Sequence, residues 1–177
     1  MTGSRYETSF ESEALALLRA MSDAELNELI DALARTPERL QVTITAQIAN
    51  PPEEELGRKR ADDEFSAVET ICHLRDIEVE AYTVRINRLL NEELPFLPDI
   101  DGARLAVERS YNSQSIQKAF DAFRLARIQN VRILRRLAPE QLKRAGTLAG
   151  VGDVTLESLL LMMRQHDEDH LQTLPLF

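Results

Sequence analysis

The chain has 177 residues, 44% of them hydrophobic, which is long enough to bury a proper core and predicts one domain over residues 1–177. Its formal net charge is −9 and its basic residues are not gathered into one block, which argues against tracking phosphates, so no nucleic acid is expected as a partner. The lone cysteine, Cys72, excludes an intramolecular disulfide and fits a reducing compartment.

The N-terminal stretch from Met1 to Glu11 has no apolar run of signal-peptide type, and no segment approaches the length needed to span a membrane. The expectation is a soluble cytoplasmic domain without a membrane partner.

In chain order, the strong periodic signals are helical. Ser22-Asp23-Ala24-Glu25 reads as a capping box, in which a serine hydroxyl and a glutamate satisfy free amides at a helix start. Thr36-Pro37 offers an N-cap followed by proline at a first helical position, so the first helix is expected to end near Arg35. A second would run to about Ile48 and stop at Asn50-Pro51-Pro52. Residues 51–64 read as a charged loop. A long helix is predicted from Phe65 to about Leu90, ending before Pro95 and Pro98, with a long connection over 95–112. The next helix spans about Ser113 to Leu137, with Ile116, Phe120, Phe123, Val131, Leu134 and Leu137 on its buried stripe. Pro139 and the glycines at 146, 150 and 152 mark a further loop, and the last helix begins near Thr155. No convincing strand pattern emerges; Val42-Thr43-Ile44-Thr45 alternates but is short and has helical flanks. The fold class is all-α: four principal helices in a bundle, with a short N-terminal helical addition over 1–35.

The chain has three histidines, and their placement is its most informative feature. His166 and His170 stand four apart in Gln165-His166-Asp167-Glu168-Asp169-His170-Leu171, a spacing that puts both imidazoles on one side of a helix. At about 100° per residue they fall in the apolar sector of Leu156, Leu159, Leu160, Met163 and Leu174, and so face the bundle. Buried imidazoles need partners, and a divalent metal is one. The competing reading is a pair of core histidines bonded to carboxylates or backbone. His73 lines up with Phe65, Glu69, Ile77, Ala81 and Val84, a phase that allows it to turn inward and complete a trio on one ion, with positions left open for water or substrate.

Glu69, one turn before His73, is a candidate to orient it, to ligate, or to act as base. Asp167, Glu168 and Asp169 read as solvated charges, one of which could hold an imidazole through its second nitrogen. Cys72 points about 100° away from His73 and reads as a small buried hydrophobe. There is no Gly-rich phosphate loop, no GxSxG elbow and no CxxC pair.

Phe65-Ser66-x-x-Glu69-x-x-x-His73-Leu74-x-Asp76 together with His166-Asp167-x-x-His170-Leu171 resembles the two signatures of the DinB/YfiT-like superfamily of metal-dependent enzymes, in order, separation and helical context. The resemblance covers about residues 36–174. It implies a four-helix bundle of DinB/YfiT type with 36–174 as its core, often a homodimer, and a nickel or zinc site whose ligands are His73, His166 and His170. Phe65 departs from the family's usual tryptophan there, which alters packing but removes no ligand. A metal held by three neutral imidazoles is a Lewis acid that can activate a water or a thiol. The resemblance therefore implies a small-molecule enzyme, with transfer of a low-molecular-weight thiol ahead of hydrolysis. The alternatives are a metal-stabilised or metal-sensing helical protein without catalysis, and a helical interaction module without metal.

Overall fold

The computed structural model describes residues 21–48, 56–61 and 64–174. Four long helices form the bundle: α1 (Asp23–Ile48), α2 (Ala67–Asp76, continued by a π-helical stretch Ile77–Tyr82 and by Thr83–Asn91), α4 (Ile116–Leu134) and α5 (Leu156–Thr173). A short α3 (Gly102–Glu108) lies in the connection between α2 and α4.

The capping box at Ser22 forms as expected: the Glu25 amide donates to Ser22 Oγ and the Ser22 amide to Glu25 Oε2. The expected break at Thr36–Pro37 does not occur. α1 runs straight through Pro37, so residues 23–35 are the first half of a bundle helix and not a separate addition. Proline has no N–H for the carbonyl four residues back. That carbonyl, of Leu33, is served instead by Arg127 Nη1 at 3.0 Å, and Thr36 turns its hydroxyl to Asp167 Oδ2 at 2.8 Å. The expected stop at Asn50-Pro51-Pro52 lies outside the described residues.

A three-stranded sheet, which the sequence did not signal, closes one end: β1 (Phe96–Leu97), β2 (Ala145–Leu148) and β3 (Gly152–Thr155), in the order β1-β2-β3. β1 runs parallel to β2, pairing Phe96 with Thr147, and β2 antiparallel to β3, pairing Ala145 with Thr155. The β2–β3 turn places Gly150 at φ 77°, a conformation in which a side chain is strained. Strands this short carry too few residues for a period of two to stand out. Their effect is positional. Thr155, the last residue of β3, is the N-cap of α5 and accepts the Ser158 amide at 3.1 Å, so the sheet fixes where the helix carrying both C-terminal histidines begins.

The apolar core has two parts. One is built on Leu29, Leu33, Ile86, Leu134, Leu159 and Met163, the other on Leu40, Ile44, Ile71, Phe120 and Phe123. In every long helix a polar residue falls between the two: Thr36 in α1, Glu78 in α2, Arg127 in α4 and Asp167 in α5, all buried. Arg127 binds Glu78 through Nε and Nη2, each at 2.9 Å, and reaches Asp167 Oδ1 at 3.0 Å and Oδ2 at 2.5 Å. Asn130 donates to Glu78 Oε1 at 2.8 Å and to Thr83 Oγ1 at 2.9 Å. A buried guanidinium is tolerated only when its donors are matched in this way.

The π-helical stretch belongs to the same layer. The wider turn ends where the Thr83 amide and hydroxyl both donate to the Glu78 carbonyl. Within it Glu78 faces Arg127, and Tyr82, four residues on, packs against His166 with ring centroids 5.9 Å apart. The slip in phase also corrects the expected inner face of α2. Val84 is 40% exposed, while Tyr82, Arg85 and Ile86 are buried.

Candidate metal centre

His73 projects from the first segment of α2, and His166 and His170 from α5, and the three rings meet half-buried beside the polar layer. Ring centroids are 5.3 Å apart for His73–His166, 4.9 Å for His73–His170 and 4.6 Å for His166–His170. Nε2 of His73 lies 3.2 Å from Nε2 of His166, and one nitrogen from each ring falls within 4.8 Å of the others. This is the only group of three or more potential metal-binding side chains among the described residues.

Local sequence explains why His73 reaches this point. Ser66 caps α2: its hydroxyl accepts the Glu69 amide at 3.1 Å, and Glu69 Oε2 accepts the Ser66 amide at 3.0 Å. The Glu69 carboxylate also faces Lys59 at 3.2 Å. Glu69, read as a candidate base or orienting group, is thus held in the helix cap one turn from His73 and does not join the imidazole cluster. Downstream, Asp76 accepts Arg75 Nε at 2.6 Å, Arg109 Nη1 at 2.7 Å and the Tyr111 hydroxyl at 2.7 Å, tying α2 to the chain after α3. Burial would raise the Asp76 carboxyl, but the hydrogen bonds from Arg75, Tyr111 and Arg109 hold it below the usual carboxylate range.

All three imidazoles are held neutral. Burial lowers His73 to about 4, helped by nearby His170, and lowers His166 to about 3, helped by His170, His73 and Arg127. His170 is lowered too, again by burial, with Asp167 and Asp169 opposing.

The acidic run around the C-terminal pair differs from its sequence reading. Asp167 is buried and belongs to Arg127 and Thr36; Glu168 pairs with Arg39; Asp169 accepts from Gln165. None of them holds an imidazole. His73 Nδ1 and His166 Nδ1 are buried without a hydrogen-bond partner among the described residues. Ring orientation is therefore set by packing: Phe65 lies 5.2 Å from the His73 ring and Tyr82 against His166. Cys72 is fully buried and its thiol is pushed up to about 11 by burial.

Sequence reading missed Arg127, although a signal was present. It lies four residues after Phe123 and seven after Phe120, inside the stripe that marks the buried face of α4. Asp167 likewise follows Met163 by four.

The donor set fits a divalent transition metal. Two imidazole nitrogens bound to one ion at about 2.0–2.1 Å stand roughly 3 Å apart, close to the 3.2 Å between His73 and His166. Neutral rings have the lone pair a metal needs. On the far side, His170 also lines a groove of about 390 Å³ with Arg60, Glu64, Phe65, Thr70, Gln172 and Thr173.

Fold and site define a four-helix bundle with an imidazole trio shared between two of its helices. The chain belongs to the DinB superfamily, whose family model matches residues 32–174. Its fold is that of YfiT from Bacillus subtilis, described as a probable metal-dependent hydrolase with an unusual four-helix bundle topology. The TM-score is 0.78 at 18% identity, over 86% of this chain and 85% of that one. No curated protein matches the chain. Among the described residues no helix is long and apolar enough to cross a membrane.

Proposed function

We propose that His73, His166 and His170 hold one divalent transition metal, nickel or zinc, and that the chain is a metal-dependent enzyme acting on small molecules. The observation that carries this reading is the convergence of three imidazoles, one nitrogen of each within 4.8 Å of the others and Nε2 of His73 3.2 Å from Nε2 of His166, with burial lowering the pKa of all three. YfiT, with the same fold, is described as metal-dependent, which supports it. An ion so held supplies a Lewis acid that eases deprotonation of a water or a thiol reaching it.

The chain's own residues do the rest. His170 belongs both to the trio and to the groove, so a substrate seated between Phe65, Thr70 and Gln172 reaches the site along that imidazole. Phe65 and Tyr82 keep apolar surface against two of the rings and limit water there. The reaction class is hydrolysis or transfer of a low-molecular-weight thiol to an electrophile. We further propose one domain over 1–177, on chain length, located in the cytoplasm, on composition and the lone cysteine, and working as a homodimer, on family likeness.

A second reading has one observation in its favour: the trio spans α2 and α5, so an ion there would also staple two helices. The test is to load purified protein with nickel or zinc and incubate it with activated esters and with alkyl electrophiles, with and without a panel of cellular thiols. Turnover that His170→Ala abolishes while the bundle stays folded supports the enzyme. Thiol-independent product selects hydrolysis, and thiol-dependent product selects transfer. Full metal occupancy without turnover, and a melting temperature that drops sharply in EDTA, would select the staple.

A further inference from the structure

Gly102 opens α3 at its first position, where alanine would favour the helix more and where no positive φ calls for glycine. The reason for glycine lies across the site. A Cβ built on Gly102 would stand 2.5 Å from both Cε1 and Nδ1 of His73, closer than nonbonded atoms approach. The His73 ring thus presents its Nδ1–Cε1 edge to the main chain of residue 102, in the space a side chain would fill, while its Nε2, farther from that position at 3.7 Å, lies 3.2 Å from Nε2 of His166.

Which side would yield to a side chain depends on how each is held. The segment carrying Gly102 is anchored at both ends. Five residues earlier, Leu97 is paired with Leu148 in the sheet, and its carbonyl accepts the Ala149 amide at 2.9 Å. Buried Arg85 donates to the Pro98 carbonyl at 2.9 Å. Asp101 caps α3 by accepting the Arg104 amide at 2.9 Å, and Leu105 and Ala106 bury the helix against the core. The His73 ring is tied more weakly: its Nε2 meets only Nε2 of His166, at 3.2 Å, and its Nδ1 has no hydrogen-bond partner among the described residues. Metal-binding histidines ordinarily fix their orientation through that second nitrogen. Here a backbone surface takes over that task.

We propose that Gly102 is a positioning residue for His73: the missing side chain allows, and the anchored backbone enforces, the ring orientation that aims Nε2 into the trio. The proposal deepens the metal-site reading above and rests on it for its binding readout. Its structural content, that residue 102 sets the His73 ring, can be read without metal.

The test compares wild type, Gly102→Ala and Ala103→Gly, the last a backbone control on an exposed neighbour in the same turn. Each metal-free protein is titrated with zinc and with nickel, and each is crystallised metal-free. Gly102→Ala should lose at least tenfold in affinity, with its far-UV spectrum unchanged and the His73 ring displaced, while Ala103→Gly binds as wild type does. Should the wild type take up no metal, the metal reading fails by itself, and the His73 ring in Gly102→Ala still decides this proposal: displaced supports it, unmoved overturns it. Wild-type affinity in Gly102→Ala would overturn it as well. If Gly102→Ala does not fold, adding His73→Ala must restore folding, since the clash is with that ring; a double variant no more stable than Gly102→Ala would contradict the assignment.

Discussion

Arg127 donates to the main-chain carbonyl of Leu33 at 3.0 Å, the carbonyl that Pro37 leaves without a helical partner. One guanidinium on α4 thus repairs a proline inside α1 and neutralises carboxylates from α2 and α5 in the same buried layer. The layer is the floor on which the imidazole trio stands, because Asp167 is the neighbour of His166.

Arg127→Met removes every one of these donors and leaves Glu78 and Asp167 buried without their cation. Breaking a buried pair from one side costs about 3–5 kcal/mol. Urea denaturation should show a loss of that order, and adding Glu78→Gln with Asp167→Asn should recover much of it. A loss below about 1 kcal/mol would mean that the layer relaxes or admits water.

The metal-free protein should lose stability as the pH falls below neutrality. His73 and His166 titrate at about 4 and about 3 when folded, against about 6.5 in an unfolded chain. Protons therefore favour the unfolded state. The contribution is whole above the unfolded value and is lost as the pH falls toward the folded ones, at roughly 1.4 kcal/mol per pH unit for each imidazole. Denaturation at pH 7 and pH 5 should show the loss, and His166→Ala should flatten it. An unchanged slope in that variant would show that His166 is not held neutral by burial.

Cys72 sits next to His73 in sequence but takes no part in the site. With its thiol buried and raised to about 11, it should resist a thiol-specific reagent in the native state and react only on unfolding. Cys72→Ala should keep the metal content of the wild type. Rapid native labelling would contradict this placement.

The cap of α2 sets where His73 falls. Ser66→Ala removes the hydroxyl that accepts the Glu69 amide and should cost about 1 kcal/mol, read as a lower denaturation midpoint. A variant as stable as wild type would mean that Asp76 and its partners alone hold the helix in register.

Much of this was legible in the sequence because helical phase is a local property. The stripe Ile116, Phe120, Phe123, Val131 and Leu134 is buried as its spacing implied, as are Leu156, Leu159, Leu160 and Met163. The same phase turned His166 and His170 inward. What stayed hidden depends on distant partners. Pro37 signals a helix start unless something elsewhere serves the Leu33 carbonyl, and Arg127 lies ninety-four residues along the chain. The π-helical turn at Ile77–Tyr82 shifts the phase of the helix beyond it, so that Arg85 and Ile86 turn inward and Val84 does not, a change that no local pattern announces. The contact of Gly102 with His73 bridges two elements in the same way. Asp167 was read as solvated because a run of three acidic residues is usually a wet face, yet its phase after Met163 already pointed inside.

The most direct test of the central claim is metal content by mass spectrometry on untagged protein, wild type beside His170→Ala. The account predicts near-stoichiometric nickel or zinc in the wild type, or full uptake on reconstitution, and loss of it in a variant that remains folded. A wild type that neither carries nor takes up either metal would contradict it.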